Sequence, residues 1–488
     1  MTTHDQPATY LFGARDRGGL LLGFRAPQLV LIGLGAVAIL TGFLTAGGDG
    51  GLAGAGIAAV AACLAVFPVQ GRCLVDWVRP LLNYAYQRVS GQDRYLGGPR
   101  ALHRARDVPR LDLPGLARGL RVYEVAIPDG TVALLKLRER WTIVFPVLSS
   151  NYVLADRSSQ ERRVASWGAL LAQCGQEGSR VAGLQWLERT IPDTGRGLVE
   201  WWERAGRPTS AFAAAYEGLI ERAGPTATRH ETHLAVSLDA HRIRRLVRQA
   251  GGGPEGAAKV VLAEMAWIRQ ALARADLDVR PALAPEQLAR LVRTQYDHTA
   301  VELERHGGRP WRQPAIAAGP MAAKSEWSRY RTDSDLHAVY WIAEWPSVPV
   351  EAAWCYPLLA LSGVRRTVSV SAVPIPPSKS LREMRSQRVA KRADEAQRRR
   401  LGQVETAQDE EEFQGLLRRE HDLIRGHTEY RFTGWITVSA TTAEQLDAAC
   451  AMVEQAAVRS ALVLRRVYAE VDQAFTVAAL PLNEGVRR

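Results

Sequence analysis

The longest apolar stretches of the chain lie close together near its start. Residues 29–46 and 51–69 contain no charged side chain, and the short turn between them carries only Asp49. As helices they would each extend roughly 27 Å, which matches the hydrocarbon thickness of a bilayer. A signal peptide would instead have one shorter apolar run followed by a cleavage site. The pattern predicts a transmembrane hairpin, and the alternative is a buried helical hairpin in a soluble domain.

The arginines around this hairpin predict its orientation. Both flanks carry them, whereas the turn has neither Lys nor Arg. Because these residues resist translocation, both termini are predicted to be cytoplasmic, with the protein in the plasma (inner) membrane. The arginines are Arg15, Arg17 and Arg25 before the first span and Arg72, Arg79 and Arg88 after the second.

The second span and its end carry two further signals. Small residues at helical spacing predict close helix packing, either within the hairpin or against a partner helix. Aromatic residues just beyond the span are predicted to lie at the membrane interface. The small residues are Gly50, Gly54, Ala58 and Ala62, and the aromatic residues are Trp77, Tyr84 and Tyr86.

After the hairpin, the hydrophobic pattern alternates between helical and strand periods, which predicts an α+β body. Three β-rich runs, 121–127, 131–137 and 141–148, are separated by turns, the first at Pro128-Asp129-Gly130. Helices are predicted over 198–223 and 350–361, and residues 305–334 are predicted to be a connection. The divisions are a tail 1–28, a juxtamembrane helix and linker 70–110, a small β unit 111–156, an α/β domain 157–305 and an α+β domain 335–488. The last of these should close with a ferredoxin-like unit.

The most polar segment covers residues 378–426. It has few apolar positions, so a long helix or an antiparallel helical pair on the surface is predicted. Its part 379–400 is basic, and 409–412 is acidic. The basic residues are Lys379, Arg382, Arg385, Arg388, Lys391, Arg392, Arg398, Arg399 and Arg400. Contact with DNA is the alternative use of this segment.

The composition indicates which classes of partner the protein is expected to bind. The net charge is +11 and the pI about 9.7, and the basic residues are 57 Arg and only 5 Lys. This balance suits a protein held at an anionic membrane surface, and a nucleic-acid partner is the second interpretation. The five cysteines show no paired spacing, which predicts reduced thiols rather than a disulfide framework or a zinc site.

No motif in the sequence predicts catalysis, a cofactor or a metal. The stretch from Gly319 to Ser325 ends in Lys-Ser, as a phosphate loop does, but has Ala323 where that loop needs glycine. His230 and His233 are one residue short of the spacing that puts two ligands on one helix face. No catalytic, cofactor-binding or metal-binding residue is therefore predicted, and the protein is predicted not to be an enzyme.

Several weak motifs in the C-terminal part resemble the non-ATPase domain of VirB4-type proteins of type IV secretion systems. They are YWIAEWP at 340–346, the strand 365–374, the polar helix after it, and the strand-helix-strand from 430 to 481. The two N-terminal spans resemble VirB3. Together with LFGARDRGGLLLGFRAPQL at 11–29 and LQWLERTIPD at 184–193, they resemble an actinobacterial membrane protein family of conjugation clusters.

This resemblance implies a membrane scaffold or adaptor of a type IV secretion-like or conjugative machine. Its implied partners are membrane lipid, other membrane subunits, further copies of the chain and a P-loop ATPase on a separate chain. Two alternatives remain open. One is an EccE-like membrane component of type VII secretion, and the other is a membrane-tethered DNA-binding component.

Overall fold

The computed structural model describes residues 9, 10, 12, 26–69, 72–97, 111–128, 130–149, 152, 154–192, 196–206, 209–223, 228–274, 277–300, 318–400 and 407–485. Most of the predicted tail 1–28, most of the linker within 70–110 and the tip of segment 378–426 lie outside these residues. The described part mixes helices with a large sheet, in agreement with the predicted α+β class.

The helices are α1 (Ala26–Val66), α2 (Leu74–Val89), α3 (Arg157–Cys174), α4 (Arg196–Ala205), α5 (Ala213–Ala223), α6 (Ala240–Gln249), α7 (Gly253–Arg274), α8 (Pro285–Tyr296), α9 (Tyr356–Leu359), α10 (Pro377–Arg400), α11 (Ala407–Ile424), α12 (Ala443–Arg459) and α13 (Val471–Ala479). The strands are β1 (Pro68–Val69), β2 (Arg72–Cys73), β3 (Arg94–Leu96), β4 (Arg121–Ile127), β5 (Gly130–Leu137), β6 (Arg140–Ser149), β7 (Val181–Pro192), β8 (Thr228–Asp239), β9 (Leu277–Val279), β10 (Ala322–Ser325), β11 (Tyr330–Thr332), β12 (Asp335–Glu344), β13 (Arg365–Ile375), β14 (Glu429–Ala440) and β15 (Val463–Arg466).

One sheet of 13 strands runs through the whole body. Its order is β3-β10-β11-β12-β14-β13-β7-β8-β6-β5-β4, while β15 pairs with β12 and β9 pairs with β6. Strands from all three predicted body units therefore hydrogen-bond in one layer. The division into domains at those boundaries stays a prediction.

The body consists of two halves with the same strand order. We define the first half as residues 121–296 and the second half as residues 322–479. Neighbouring strands follow the order β9-β6-β8-β7 in the first half and β15-β12-β14-β13 in the second, and every pair is antiparallel. The two halves meet where β7 pairs with β13, from Thr190 opposite Arg366 to Leu184 opposite Ala372.

Alternating side chains of the strands build a core on each face of the sheet. In β12, Val339 and Trp341 face a core that both halves share, and α8 and α13 cover it. The alternate residues Ala338 and Tyr340 face a second core under α12. On that opposite face of the first half, α7 covers a third core. The shared core therefore joins the two halves by side-chain packing, in addition to the backbone pairing of β7 with β13.

The apolar segment α1 bends sharply near its middle. Ala46 and Gly47 have non-helical backbone angles, and the two arms on either side contact each other. Gln28 Nε2 donates to the carbonyl of Ala65 over 2.7 Å, so the far ends of the arms are neighbours. A Cβ atom on Gly54 would lie 2.5 Å from the carbonyl oxygen of Ala38, a distance that only glycine permits.

The small residues of the second arm pack against the first arm. Gly54, Ala61 and Ala65 are buried between the arms, and Ala58 lies against Gly35. Ala62, which was predicted to be part of this stripe, is exposed, because Ala61 occupies the contact instead. One described helix, Pro27–Val66, is long and apolar enough to cross a membrane, and 6% of its most apolar window is buried.

Three predicted elements differ in the structure. The helix over 198–223 is two helices, since α4 ends at Ala205 and Gly206 and Pro208 follow it. The helix predicted over 350–361 is a single turn, α9, with Pro357 in its first turn. The predicted connection 305–334 contains β10 and β11. The β-rich runs at 121–148 match β4, β5 and β6 closely.

Candidate functional site

A largely buried cluster of charged and polar side chains lies at the strand ends where the two halves meet. It joins the C-terminal end of α8 to β7, β12 and β13. The residues of the cluster are Arg189, Glu231, Arg293, Thr294, Asp297, His298, Asp333, Asp335 and Arg365. We refer to them as the interhalf cluster.

Asp335 is at the centre of the interhalf cluster and its side chain is fully buried. It accepts hydrogen bonds from the His298 backbone over 3.0 Å, and its other oxygen lies 2.8 Å from His298 Nδ1. Arg365 Nη2 lies 2.8 Å from the same carboxylate. Burial alone would raise the pKa of Asp335, but the His298 hydrogen bond and the Arg365 charge hold it well below its usual range. The carboxylate is therefore ionised and paired.

Arg293 connects the end of α8 to the turn before β12. Its Nη2 donates to Asp297 over 2.8 Å, and its Nη1 lies 2.7 Å from Asp333. Burial raises the pKa of Asp297, yet hydrogen bonds from Ser334 and Thr299, with the Arg293 charge, lower it overall. These bonds hold the residues just after α8 against the turn before β12.

Arg189 completes the interhalf cluster from β7. It donates through both terminal nitrogens to Thr294, to the hydroxyl over 2.6 Å and to the backbone carbonyl over 2.6 Å. Glu231 lies 3.5 Å away. Burial lowers the pKa of Arg189 to about 10, so the side chain still carries its charge at neutral pH. A paired guanidinium at this depth resists replacement, because removing one partner leaves a buried charge uncompensated.

The cluster does not have the character of a metal site. Asp297, His298 and Asp335 offer ligand atoms within 4.8 Å of one another. However, Arg293 and Arg365 already pair with the two carboxylates, and His298 Nδ1 is bonded to Asp335. A divalent cation would have to displace these positive charges. The chemistry of the donor set therefore favours a structural ion-pair network.

The motif candidates from the sequence fall on strands. Lys324 and Ser325 belong to β10, where Ser325 is buried and its hydroxyl lies 3.3 Å from Asp472. His230 and His233 belong to β8, so their odd spacing places them on opposite faces. His230 pairs with Glu188 over 2.7 Å, whereas burial lowers the pKa of His233 to about 4. The structure brings none of these residues into a shared site.

The polar segment 378–426 contains the two helices α10 and α11. Arg388 on α10 donates to Glu420 on α11 over 2.8 Å, which holds the described parts of the helices together. Lys379 pairs with Glu383 one turn along α10. The side chains of Arg398, Arg399 and Arg400 lie outside the described residues.

Helix α2 connects α1 to the second half of the body. Trp77 is buried, with its ring 6.0 Å from Trp327 and 5.8 Å from Tyr468. Tyr84 meets Trp327 edge to face at 5.4 Å. The prediction that Trp77 faces the membrane interface is therefore wrong, because the body buries its ring, while Tyr84 is half-buried against Trp327. Tyr86, in contrast, is exposed.

An aromatic contact near the chain start was missed by sequence reasoning. The Phe12 ring lies 5.3 Å from that of Trp345 and 5.1 Å from that of Trp354. Beside it, Tyr10 exchanges two backbone hydrogen bonds with Val350. The signal available in the sequence was the density of tryptophans around 345–354, which exceeds what a solvent-exposed loop needs.

A family model for EccE, a type VII ESX secretion system translocon component, matches residues 226–342. This stretch is about a quarter of the chain and runs from β8 through α8 to β12, so it includes most of the interhalf cluster. No curated protein matches the chain. The match supports similarity to a membrane component of a secretion system. It favours the type VII alternative and gives no support to the VirB4-like and VirB3-like assignment.

Proposed function

We propose that the protein is a membrane-anchored structural component of a type VII secretion-like translocon. The observation that carries this proposal is the EccE family match over residues 226–342. The apolar segment before the body agrees with it, because the family model describes a translocon and this chain has a helix able to cross a bilayer.

In this proposal, α1 crosses the membrane as a hairpin. Its outer surface is apolar and exposed, while glycine and alanine fill the contact between the arms. Arginines flank the hairpin and its tip carries only Asp49, so both termini and the body lie on the cytoplasmic side. The finer assignment of a ferredoxin-like unit to the C-terminal half is supported by its order β15-β12-β14-β13.

We further propose that the protein acts through assembly and not through catalysis of its own. Two observations support this. The Lys-Ser sequence that resembles a phosphate loop is part of β10, where Lys324 lies 3.8 Å from Glu326. The interhalf cluster pairs its carboxylates with arginines and holds the fold together. In this proposal, an ATPase on another chain supplies the energy for secretion, and this protein binds other membrane subunits.

Two experiments test the proposal in cells that contain the native secretion system. A cysteine introduced by Asp49→Cys should react with a membrane-impermeant maleimide in intact cells. A matched Leu154→Cys on the exposed surface of the body should react only after permeabilisation. The tagged chain should also co-migrate with the other membrane subunits on native gels. Labelling at Leu154→Cys in intact cells, or migration as an isolated chain, would contradict the proposal.

A further inference from the structure

The helix that follows the membrane segment carries an apolar face that the body leaves uncovered. On α2, the exposed residues of this face are Val78, Leu81, Leu82, Ala85, Tyr86 and Val89. We refer to them as the outer face of α2. Leu82 is 67% exposed and Val89 is 90% exposed, which is unusual for two large apolar residues on one helix.

The outer face is continuous and bordered by positive charge. At 3.6 residues per turn, its members span roughly 140° of the helix circumference. Arg79 lies just beyond one border and Arg88 just beyond the other, and both are exposed. Arg88 also hydrogen-bonds the Tyr84 hydroxyl over 3.0 Å, which holds its side chain at that border.

The opposite side of α2 is fixed to the body, so the helix cannot turn its outer face inward. Trp77 and Tyr84 pack on Trp327, and Pro80 and Gln87 are buried on the same side. A helix that buries one side and exposes an apolar second side needs another apolar environment.

The start of α2 lies directly at the base of α1. The backbone N–H of Leu74 donates to the carbonyl of Phe67, and Gln28 at the start of α1 contacts both Ala65 and Cys73. The exposed apolar surface of α1 is therefore followed, after the paired strands β1 and β2, by the helix that carries the outer face.

We propose that the outer face of α2 lies in the lipid interface of the membrane, with Arg79 and Arg88 at the level of anionic headgroups. This inference rests on the proposed function, because it requires that α1 is inserted. An apolar face flanked by arginines is the pattern of helices that lie in the interface plane, where arginine stems extend along apolar surface. The body is thereby held flat against the membrane through α2, which already packs on Trp327 and Tyr468.

The test uses the full chain in lipid nanodiscs, with a fluorescent label on one introduced cysteine and with Cys63 and Cys73 replaced by alanine. Leu82→Cys and Val89→Cys probe the outer face. Val458→Cys is the matched control, since Val458 is 73% exposed on α12 and is followed there by charged Arg459. Nitroxide-bearing lipid should quench the outer-face labels at least about twofold more than the control label.

A third label at Phe43→Cys, an exposed position of α1, separates this inference from the proposed function. If lipid quenches the label at position 43 but quenches that at 82 no more than that at 458, the anchor is supported and the inference is wrong. If the label at 43 is not quenched either, both fail together. Self-quenching between copies at position 82 without lipid quenching would identify a second copy as the occupant and would also overturn the inference.

A separate variant tests the role of the arginines that border the outer face of α2. In nanodiscs with roughly 30% phosphatidylglycerol, Arg79→Gln should reduce quenching of the label at position 82. In discs of phosphatidylcholine alone, the same variant should have little effect. An equal effect in both lipids would contradict the role of anionic headgroups.

Discussion

The first and second halves of the body share one strand order but support it with different helices. Between its first two strands, the first half has the 18-residue helix α3, whereas the second half has only the single turn α9. There, Trp345 and Trp354 fill the space, and Phe12 from the chain start packs on them. The comparison shows that the sheet sets the architecture, while the covering elements are exchangeable as long as apolar strand residues are buried.

The helices between the second and third strands also differ. In the first half, α4, α5 and the turn between them expose large apolar residues, among them Trp201, Phe212 and Leu219. In the second half, α10 and α11 are strongly polar and are held together by Arg388 and Glu420. Equivalent positions in the topology thus present an apolar surface in one half and a charged surface in the other.

The largest effect should come from a cavity in the core that both halves share. Phe475 is fully buried and contacts Tyr296 from the first half at a ring distance of 5.2 Å. Phe475→Ala should cost about 3–5 kcal/mol in the free energy of unfolding and should lower the stability of both halves in one transition. Thermal unfolding in detergent, followed by circular dichroism, measures this. Two separate transitions would show that the halves fold independently.

A matched control for this variant is Phe212→Ala. Phe212 is 78% exposed, so its removal should change stability by no more than about 0.5 kcal/mol. A comparable loss in both variants would contradict the shared core.

The interhalf cluster should show the next largest effect. Arg365→Met removes the guanidinium that neutralises buried Asp335 and should cost about 3–5 kcal/mol. Arg280→Met removes a partner of Asp278 at the surface and should cost less than about 1 kcal/mol. Denaturant unfolding of both variants gives the two values. If the two costs are equal, the buried pair has no special role in joining the halves.

The two halves should both contribute to acid sensitivity. Burial lowers the pKa of His233 on β8 to about 4 and that of His337 on β12 to about 3. An unfolded histidine has a pKa of about 6.5, so the unfolded chain binds the proton first as pH falls. This contribution is complete above pH about 6.5 and declines by up to about 1.4 kcal/mol per pH unit for each histidine toward its folded pKa.

Stability measured across this pH range in the His233→Leu variant should therefore fall less steeply than in the parent, because one of the two histidine contributions is removed. His233 Nδ1 is buried without a hydrogen-bond partner in the described structure, so leucine leaves no new unpaired group. The parent chain, measured side by side over the same pH range, is the control. An unaltered slope in His233→Leu would show that this histidine does not carry the effect.

The smallest expected difference concerns equivalent helix starts in the two halves. Asp239 caps α6 by accepting from two backbone N–H groups, at 2.8 and 3.3 Å, whereas Thr442 caps α12 by accepting from one at 3.3 Å. Each alanine variant should cost about 1 kcal/mol, and Asp239→Ala should cost more because a carboxylate also favours the helix dipole. Unfolding of the two variants side by side tests the ranking. If Thr442→Ala costs more than Asp239→Ala, the carboxylate charge does not set the ranking of the two caps.

Local sequence patterns predicted strands such as β4 to β6, but they did not predict contacts between residues far apart in the chain. The strands β4 to β6 follow from alternating apolar residues and a Pro-Asp-Gly turn within a short stretch. The interhalf cluster joins residues such as Arg189 and Thr294, which are 105 positions apart, and no periodicity reports such a pairing. The position predicted for Trp77 was wrong for a related reason. Helix α2 has two apolar sides, and its sequence alone does not show which of them packs against the body.

The antiparallel pairing of β7 with β13 also has a mechanical consequence. The apolar segment α1 reaches the body through α2 and through β3, which pairs with β10, and both contacts are in the second half. A displacement of α1 is therefore transmitted to the second half before it reaches the first. Between them, seven residue pairs of the β7–β13 ladder lie along the strands and resist sliding together. Because the shared core and the interhalf cluster also join the halves, a tilt of the apolar segment is transmitted to the first half as a rigid-body movement.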